Sequence, residues 1–274
     1  MSSIGLSGLN ISLLFGSSSS DDNGIMSILS GNAGGASTAN PITALNSAET
    51  NQTKDIAATA ADPQVARDLA TFTKAVNSAT SVSQLLANPT VMKVLLTSNG
   101  LGSQVSYTAL AQKALTSDLT NTSSVANQLK TTNSAWLSAA TTYQFAAKGL
   151  SVIQTPSVLA TITSAYAEVT WRTSLDTTTP GLSNALTFRT NASTVTSVDQ
   201  ILGDPVLRDV VTTALGLPLQ IAEQPLATQE KLISNGLDIT KLKDPKFVET
   251  FVQRYLLAKA ASSTTSSGSS SLVV

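Results

Sequence analysis

SVSQLLANPTVMKVLLTSNGL, residues 81–101, and SVDQILGDPVLRDVVTTALGL, residues 197–217, are two copies of one short grammar. They belong to a gap-free match of Thr71–Leu101 with Thr187–Leu217 at an offset of 116 positions. A shorter copy, DITKLKDPKFVETFVQRYLL, runs from Asp238 to Leu257. Each copy reads as a short apolar turn, an Asp or Asn, a Pro, and then an amphipathic helix. The Asp or Asn side chain can accept from an orphan N–H of the first helical turn. Proline loses nothing at the next position, because its missing N–H would have had no intrahelical partner. Gly100 and Gly216 stand where a left-handed residue ends a helix. The grammar therefore predicts helices of about ten residues, with Val91, Val94 and Leu95, or Leu207, Val210 and Val211, turned inward.

Working outward, the same punctuation recurs at Asp62-Pro63, followed by Val65, Leu69, Phe72 and Val76 on one helical face. Helical tracts are expected over Tyr107–Leu119, Ser123–Phe145, Ser157–Thr173 and Thr228–Asn235. Val195–Val198 and Val169–Leu175 are the mild temptations toward strand. The fold class is all-α: an irregular multi-helix domain with internally repeated Asp/Asn-Pro-capped helical motifs. Its spacing is too uneven for a regular solenoid. The segments rich in Gly, Ser, Asn and Thr at either end read as flexible tails, 1–55 and 261–274. Between them lie an N-terminal helical half, 56–149, and a C-terminal half, 150–260. Leu6, Leu9, Leu13, Leu14 and Phe15, with Leu272–Val274, are unusually apolar for linkers and read either as evolutionary slack, the more ordinary case, or as tails that order on binding a partner.

Composition excludes much. The 274 residues contain no cysteine and no histidine, so disulfides, thiolate metal sites, imidazole bases and imidazole zinc ligands are all absent. Charged residues are 12% of the chain and the net charge is −1. With Lys and Arg scattered, no nucleic-acid stripe is present. No charge precedes Asp21, which makes a cleaved secretory signal a poor reading of the start. The apolar run Ile11–Phe15 is too short to span a bilayer, and no membrane insertion is expected.

The search for chemistry yields no phosphate loop, dinucleotide fingerprint, serine elbow or S-x-x-K pair. Asp21-Asp22-Asn23-Gly24 lacks the spacing of a calcium loop. Asp62, Asp204 and Asp244 read as caps, Glu223 and Glu230 as surface. Lys241, Lys243 and Lys246 around Asp244 read as the wet side of a helix start. Trp136 and Trp171 fit core positions beside Leu137 and Val169. Tyr255 is expected half-buried, with Arg254 paired to a carboxylate or a helix C-terminus. No catalytic residue, cofactor-binding residue or metal ligand is assigned, no cofactor is implied, and the chain is not expected to be an enzyme.

The C-terminal half carries a family resemblance. The stretch ALTFRTNASTVTSVDQILGDPVLRDVVTTALGLPLQIAEQPLATQEKLISNGLDITKLKDPKFVETFVQRYLLAKA resembles an uncharacterised alphaproteobacterial family, a domain of unknown function. Ala185–Phe188, ILGDP, TTALGLP, Gln229–Leu232, the closing Asp-Pro and Arg254-Tyr255-Leu256 carry the likeness, and the helix around Tyr166 fits the family's middle. It covers roughly Ala109–Ala260, with Asp62–Leu101 a weaker match. Members of that family are often encoded beside flagellar genes. The resemblance therefore implies an all-helical protein linked to the flagellum, with no catalytic residues to transfer.

The Ser/Thr/Ala/Asn-rich, cysteine-free, aromatic-poor composition is similar to that of exported flagellar building blocks. The ends lack the long heptad-like helices of axial subunits, which puts a rod, hook or filament role in doubt. The expectation is a structural or accessory flagellar protein, exported and partnered by itself or by axial or hook-filament proteins. Alternatives are a cytoplasmic scaffold, chaperone or regulator of flagellar export, and a secreted surface protein.

Overall fold

Both copies of the capping grammar close in the same way. Asn88 Oδ1 accepts from the N–H groups of Thr90 and Val91 at 2.9 and 3.3 Å. Asp204 Oδ1 accepts from Val206 and Leu207 at 2.8 and 3.0 Å. The helices that follow are Pro89–Ser98 and Pro205–Ala214, ten residues each. At their far ends the N–H of Leu101 reaches the Leu96 carbonyl at 2.8 Å, and that of Leu217 reaches Thr212 at 2.9 Å. This six-residue closure needs a left-handed residue inside it, and Gly100 and Gly216 supply φ values of +74° and +68°. Even the turn ahead of each helix repeats. Ser81 and Ser197 cap Gln84 and Gln200, whose side chains reach back to the N–H groups of Thr80 and Thr196.

The computed structural model describes residues 40–267. They lie within one contact unit, Thr38–Val274; the other, Met1–Ser37, lies outside the described residues. The helices are α1 (Pro41–Ala61), α2 (Pro63–Ser78), α3 (Val82–Leu86), α4 (Pro89–Ser98), α5 (Thr108–Leu115), α6 (Val125–Leu129) and α7 (Ala135–Tyr143). They continue with α8 (Phe145–Lys148), α9 (Pro156–Leu175), α10 (Leu182–Asn191), α11 (Val198–Gly203), α12 (Pro205–Ala214), α13 (Leu226–Gly236) and α14 (Pro245–Ser267). Short 3₁₀ turns fill Gly102–Gln104, Ala192–Thr194, Leu219–Glu223 and Ile239–Lys243. No strand occurs among the described residues, so the all-α reading holds, and Val169–Leu175 is helical.

Two apolar cores form. The first joins α2, α3, α4, α5 and α7 to the front half of α9, around Phe72, Val91, Leu95, Trp136, Tyr143 and Ile162. The second joins α10, α11, α12, α13 and α14, around Phe188, Ile201, Val210, Ile233 and Phe251. Phe188, Phe251 and Phe247 stack in sequence at centroid distances of 5.7 and 5.7 Å. Helix α9 serves both cores. Ile162 and Tyr166 point into the first, and Trp171, later on the same helix, packs into the second. The boundary expected at 149/150 therefore does not separate the cores, because Ile153, Ile162 and Tyr166 belong to the first.

The tails also need correction. Residues 41–55, read as tail, lie in α1, with Leu45 and Ala48 buried against the second core. The polar composition hides a narrow apolar stripe, and Asn40 caps the helix by accepting from the Ile42 N–H at 3.0 Å. At the other end α14 runs on to Ser267, because an established helix extends without a new nucleation step. The remainder of both expected tails, with its apolar spots, lies outside the described residues. The tract Ser123–Phe145 is broken rather than continuous: turns over 130–134 separate α6 from α7, and α7 stops at Gln144, whose φ of 49° is left-handed.

Replacing Asp204 with Ala leaves two first-turn N–H groups without their acceptor. We predict a loss of about 1 kcal/mol in chemical denaturation. Pro205→Ala, which removes only a permissive residue, should cost less. Equal or reversed losses would contradict this division of labour.

Candidate functional site

Helix α2 carries an acidic residue inside its apolar stripe. Asp68 lies between Val65 and Phe72 and is buried, at 7% exposure. A carboxylate there must be met by donors. Its Oδ2 accepts from Lys93 Nζ of α4 at 2.7 Å and from the Tyr166 hydroxyl of α9 at 2.7 Å. Its Oδ1 accepts from Gln64 Nε2 at 2.9 Å. Burial works against the charge, but these hydrogen bonds outweigh it and hold the Asp68 carboxyl below its ordinary range. The same bond raises the pKa of Lys93. Burial, reinforced by Asp68, pushes the Tyr166 phenol up.

The second core has its own cluster. Asp209 Oδ2 on α12 accepts from the Tyr255 hydroxyl of α14 at 2.7 Å and from Asn184 Nδ2 of α10 at 2.9 Å. Its Oδ1 accepts from Lys259 Nζ at 2.8 Å. Burial opposes the charge here too, and Lys259, Tyr255 and Asn184 together lower the Asp209 pKa. Tyr255 is completely buried, and burial with the adjacent Asp209 charge raises its pKa far above the ordinary phenol range. The backbone gives way to it at Gly181, where an added Cβ would stand 2.7 Å from the Tyr255 hydroxyl and φ is +86°. Asp176, at the end of α9, has a pKa raised by burial against the opposing backbone donors of Ser183, Gly181 and Leu182.

A third arrangement ties three helices at one guanidinium. Arg189 of α10 pairs with Glu49 of α1 and with Glu249 Oε2 of α14, the latter at 2.6 Å. Burial raises the Glu49 pKa; Arg189 opposes that shift and the neighbouring Glu249 adds to it. Beside this bridge lies a polar cleft of about 300 Å³, bordered also by Gln52, Arg172 and Thr190. Arg172 is engaged with Glu168 and with the Thr187 hydroxyl, while its Nε is buried without a partner. A second cleft, of about 330 Å³, opens between α4, α7 and α9 over Val158, Ile162 and Ala165. On its wall Asn99 Nδ2 donates to the Tyr143 hydroxyl at 2.5 Å.

Chemically, these clusters hold helices together. The two central carboxylates are pushed down while their tyrosines and Lys93 are pushed up, away from the range a general acid or base needs near neutrality. Among the described residues no group of three or more acidic residues could hold a metal ion, and no helix is long and apolar enough to cross a membrane.

Asp62, Asp204 and Asp244 cap helices. Trp136 and Trp171 are buried. Glu223 is exposed, and Glu230 sits beside Asp199, whose hydrogen bond raises its pKa. Asp21–Gly24 lies outside the described residues. Two expectations need correcting. Tyr255 is wholly rather than half buried, because its hydroxyl has a carboxylate to meet inside. Arg254 is exposed and makes none of the ion pairs formed among the described residues. The roles of Asp68, Lys93, Asn184, Asp209, Lys259 and the Arg189 bridge are not written in the local sequence pattern, and Tyr166 is legible there only as a helical position. The one available signal was Asp68 itself, a charge standing in an apolar stripe.

Two outcomes follow from this geometry. Tyr255→Phe removes a hydrogen bond to a charged group and should cost about 1.5–3 kcal/mol in urea denaturation. Asp68 and Asp209 have folded-state pKa values below the ordinary 3.8, so their stabilisation is present above that value and fades as pH falls through the folded values. Glu49, raised above 4.5, works in the opposite sense: its contribution is present below 4.5 and lost as pH rises through its folded value. Stability measured against pH should therefore fall from about pH 4 downward. Asp68→Asn with Asp209→Asn should flatten that fall, whereas Glu49→Gln should not.

Among known proteins, a solved structure shares the architecture. A protein of Agrobacterium tumefaciens known from an X-ray crystal structure superposes with a TM-score of 0.67 at 21% identity, covering 82% of this chain and 96% of that one. At that identity the likeness is one of fold. No curated protein matches the chain. Residues 98–248 match the model of a protein family of unknown function, DUF1217, whose span takes in α5 to α13 and the start of α14. That match covers more than half of the sequence, and the chain belongs to this DUF1217 family of proteins of unknown function.

Proposed function

We propose that this protein is a non-enzymatic structural or accessory component of the bacterial flagellum, exported from the cell and assembling with itself or with axial flagellar proteins. The observation that carries the non-enzymatic part is the use made of the buried carboxylates. Asp68 takes donors from Lys93 on α4 and Tyr166 on α9, and Asp209 from Asn184 on α10 and Tyr255 and Lys259 on α14, with Lys93, Tyr166 and Tyr255 held above their ordinary pKa values. Interior charge is spent on fixing helix positions. The flagellar part rests on the resemblance carried by the repeated Asp/Asn-Pro caps and DPKFVETFVQRYL, and on association with motility genes. A composition rich in Ser and Thr, free of Cys and with aromatics at 4% supports it.

Location tests the proposal. In a strain with an intact flagellar exporter, fractionation should find the protein outside the cell or on purified flagella, and deletion of the exporter should retain it in the cytosol. Confinement to the cytosol of the intact strain would overturn export and favour a scaffold, chaperone or regulator of export. Appearance outside the cell regardless of the exporter would favour an unrelated secreted surface protein.

A further inference from the structure

The two carboxylate clusters occupy equivalent places in two copies of one three-helix arrangement. Sequence offset 116 relates the first two helices of each: Asp68 to Asn184, and Lys93 to Asp209. A different offset, 89, relates the long third helices. It aligns Pro156 with Pro245 at the first helical position and Tyr166 with Tyr255. It also aligns Ile153 with Leu242, both buried in the turn just before. The two tyrosine hydroxyls each donate to an aspartate at 2.7 Å. The difference in offset reflects what lies between the second and third helices: α5–α8 in the first copy, the shorter α13 segment in the second.

The charges, however, are permuted. In the first copy the carboxylate is on the first helix, as Asp68, and the cation on the second, as Lys93. In the second copy the carboxylate has moved to the second helix, as Asp209; an amide, Asn184, takes the first; and the cation stands on the third, as Lys259. Position 170, the counterpart of Lys259, is a threonine. Exchange of the long helices would break both clusters. Helix α9 against Asn184 and Asp209 brings a tyrosine but, with Thr170 at the place of Lys259, no cation at the matching position. Helix α14 against Asp68 and Lys93 brings a second lysine to a single carboxylate. We infer that the two clusters are one pairing device written in permuted charge, which assigns each long helix to its own pair of helices and keeps the two related halves from mispairing.

Grafting tests this in the full-length protein by thermal melting followed by circular dichroism. Asp68→Asn with Lys93→Asp should lower the melting temperature, because the new carboxylate lacks a cation. Adding Thr170→Lys rebuilds the second cluster within the first core and should restore about 2–4 °C. The same Thr170→Lys in the unaltered chain should lower the melting temperature, since it adds a lysine beside Lys93. The reciprocal set reverses sign likewise: Lys259→Thr should destabilise the unaltered chain but stabilise one carrying Asn184→Asp and Asp209→Lys. A sign reversal in either core supports the pairing device, even if one double variant fails to fold. Absence of reversal in both cores, with the third substitution acting alike in both backgrounds, overturns it.

Discussion

A carboxylate withdrawn from water has to be met by donors, and this requirement sets what each group of helices must bring to Asp68 or Asp209. One helix supplies the acid; the others must arrive with a tyrosine hydroxyl and a cation at the right height. Apolar packing alone tolerates sliding and rotation, because dispersion contacts are many and weak. A cluster with bonds of 2.7–2.9 Å does not. Removing one partner leaves a buried charge uncompensated, so the arrangement is specific even where its net contribution to stability is modest. The close approach of Tyr255 to Gly181 belongs to the same constraint, since the backbone there is shaped to let the hydroxyl pass.

The two cores are joined through shared helices rather than through a linker. Helix α9 gives Ile162 and Tyr166 to one core and Trp171 to the other. Helix α1 lays Leu45 and Ala48 on the second core, and its last residue is followed directly by Asp62, the cap of α2 in the first. Arg189 adds a polar tie among α1, α10 and α14. The halves therefore cannot move as independent bodies without unpacking Trp171.

Local rules were legible in the sequence wherever both ends of an element were written into it. Asn88-Pro89 to Gly100 and Asp204-Pro205 to Gly216 gave start, stop and inward face together, because caps and left-handed glycines act over a few residues. Helix α1 was hidden because its burial depends on a surface formed by α9, α10 and α14, which no local window contains. The left-handed break at Gln144 was hidden for a similar reason, since nothing in its residue type announces positive φ. The clusters escaped notice because they are long-range: Asp68 meets a tyrosine 98 positions away, and Asp209 one 46 positions away. The position of Tyr255 beside Val252 and Leu256 does not disclose its full burial, because the acceptor that meets its hydroxyl, Asp209, lies on another helix.

Those two separations differ in consequence. Closing the longer loop costs about 0.7 kcal/mol more chain entropy than closing the shorter, so the half that leaves the ribosome last reaches its own contacts more readily. The first half is held back by the insertion of α5–α8 between its second helix and its third. At a synthesis rate of about 5–20 residues per second, Asp68 waits roughly 5–20 s for Tyr166 to be made. During that interval α2, α3 and α4 have their caps and turns but no α9 to cover them, and the apolar faces of Phe72, Val91 and Leu95 are open to whatever binds a nascent chain.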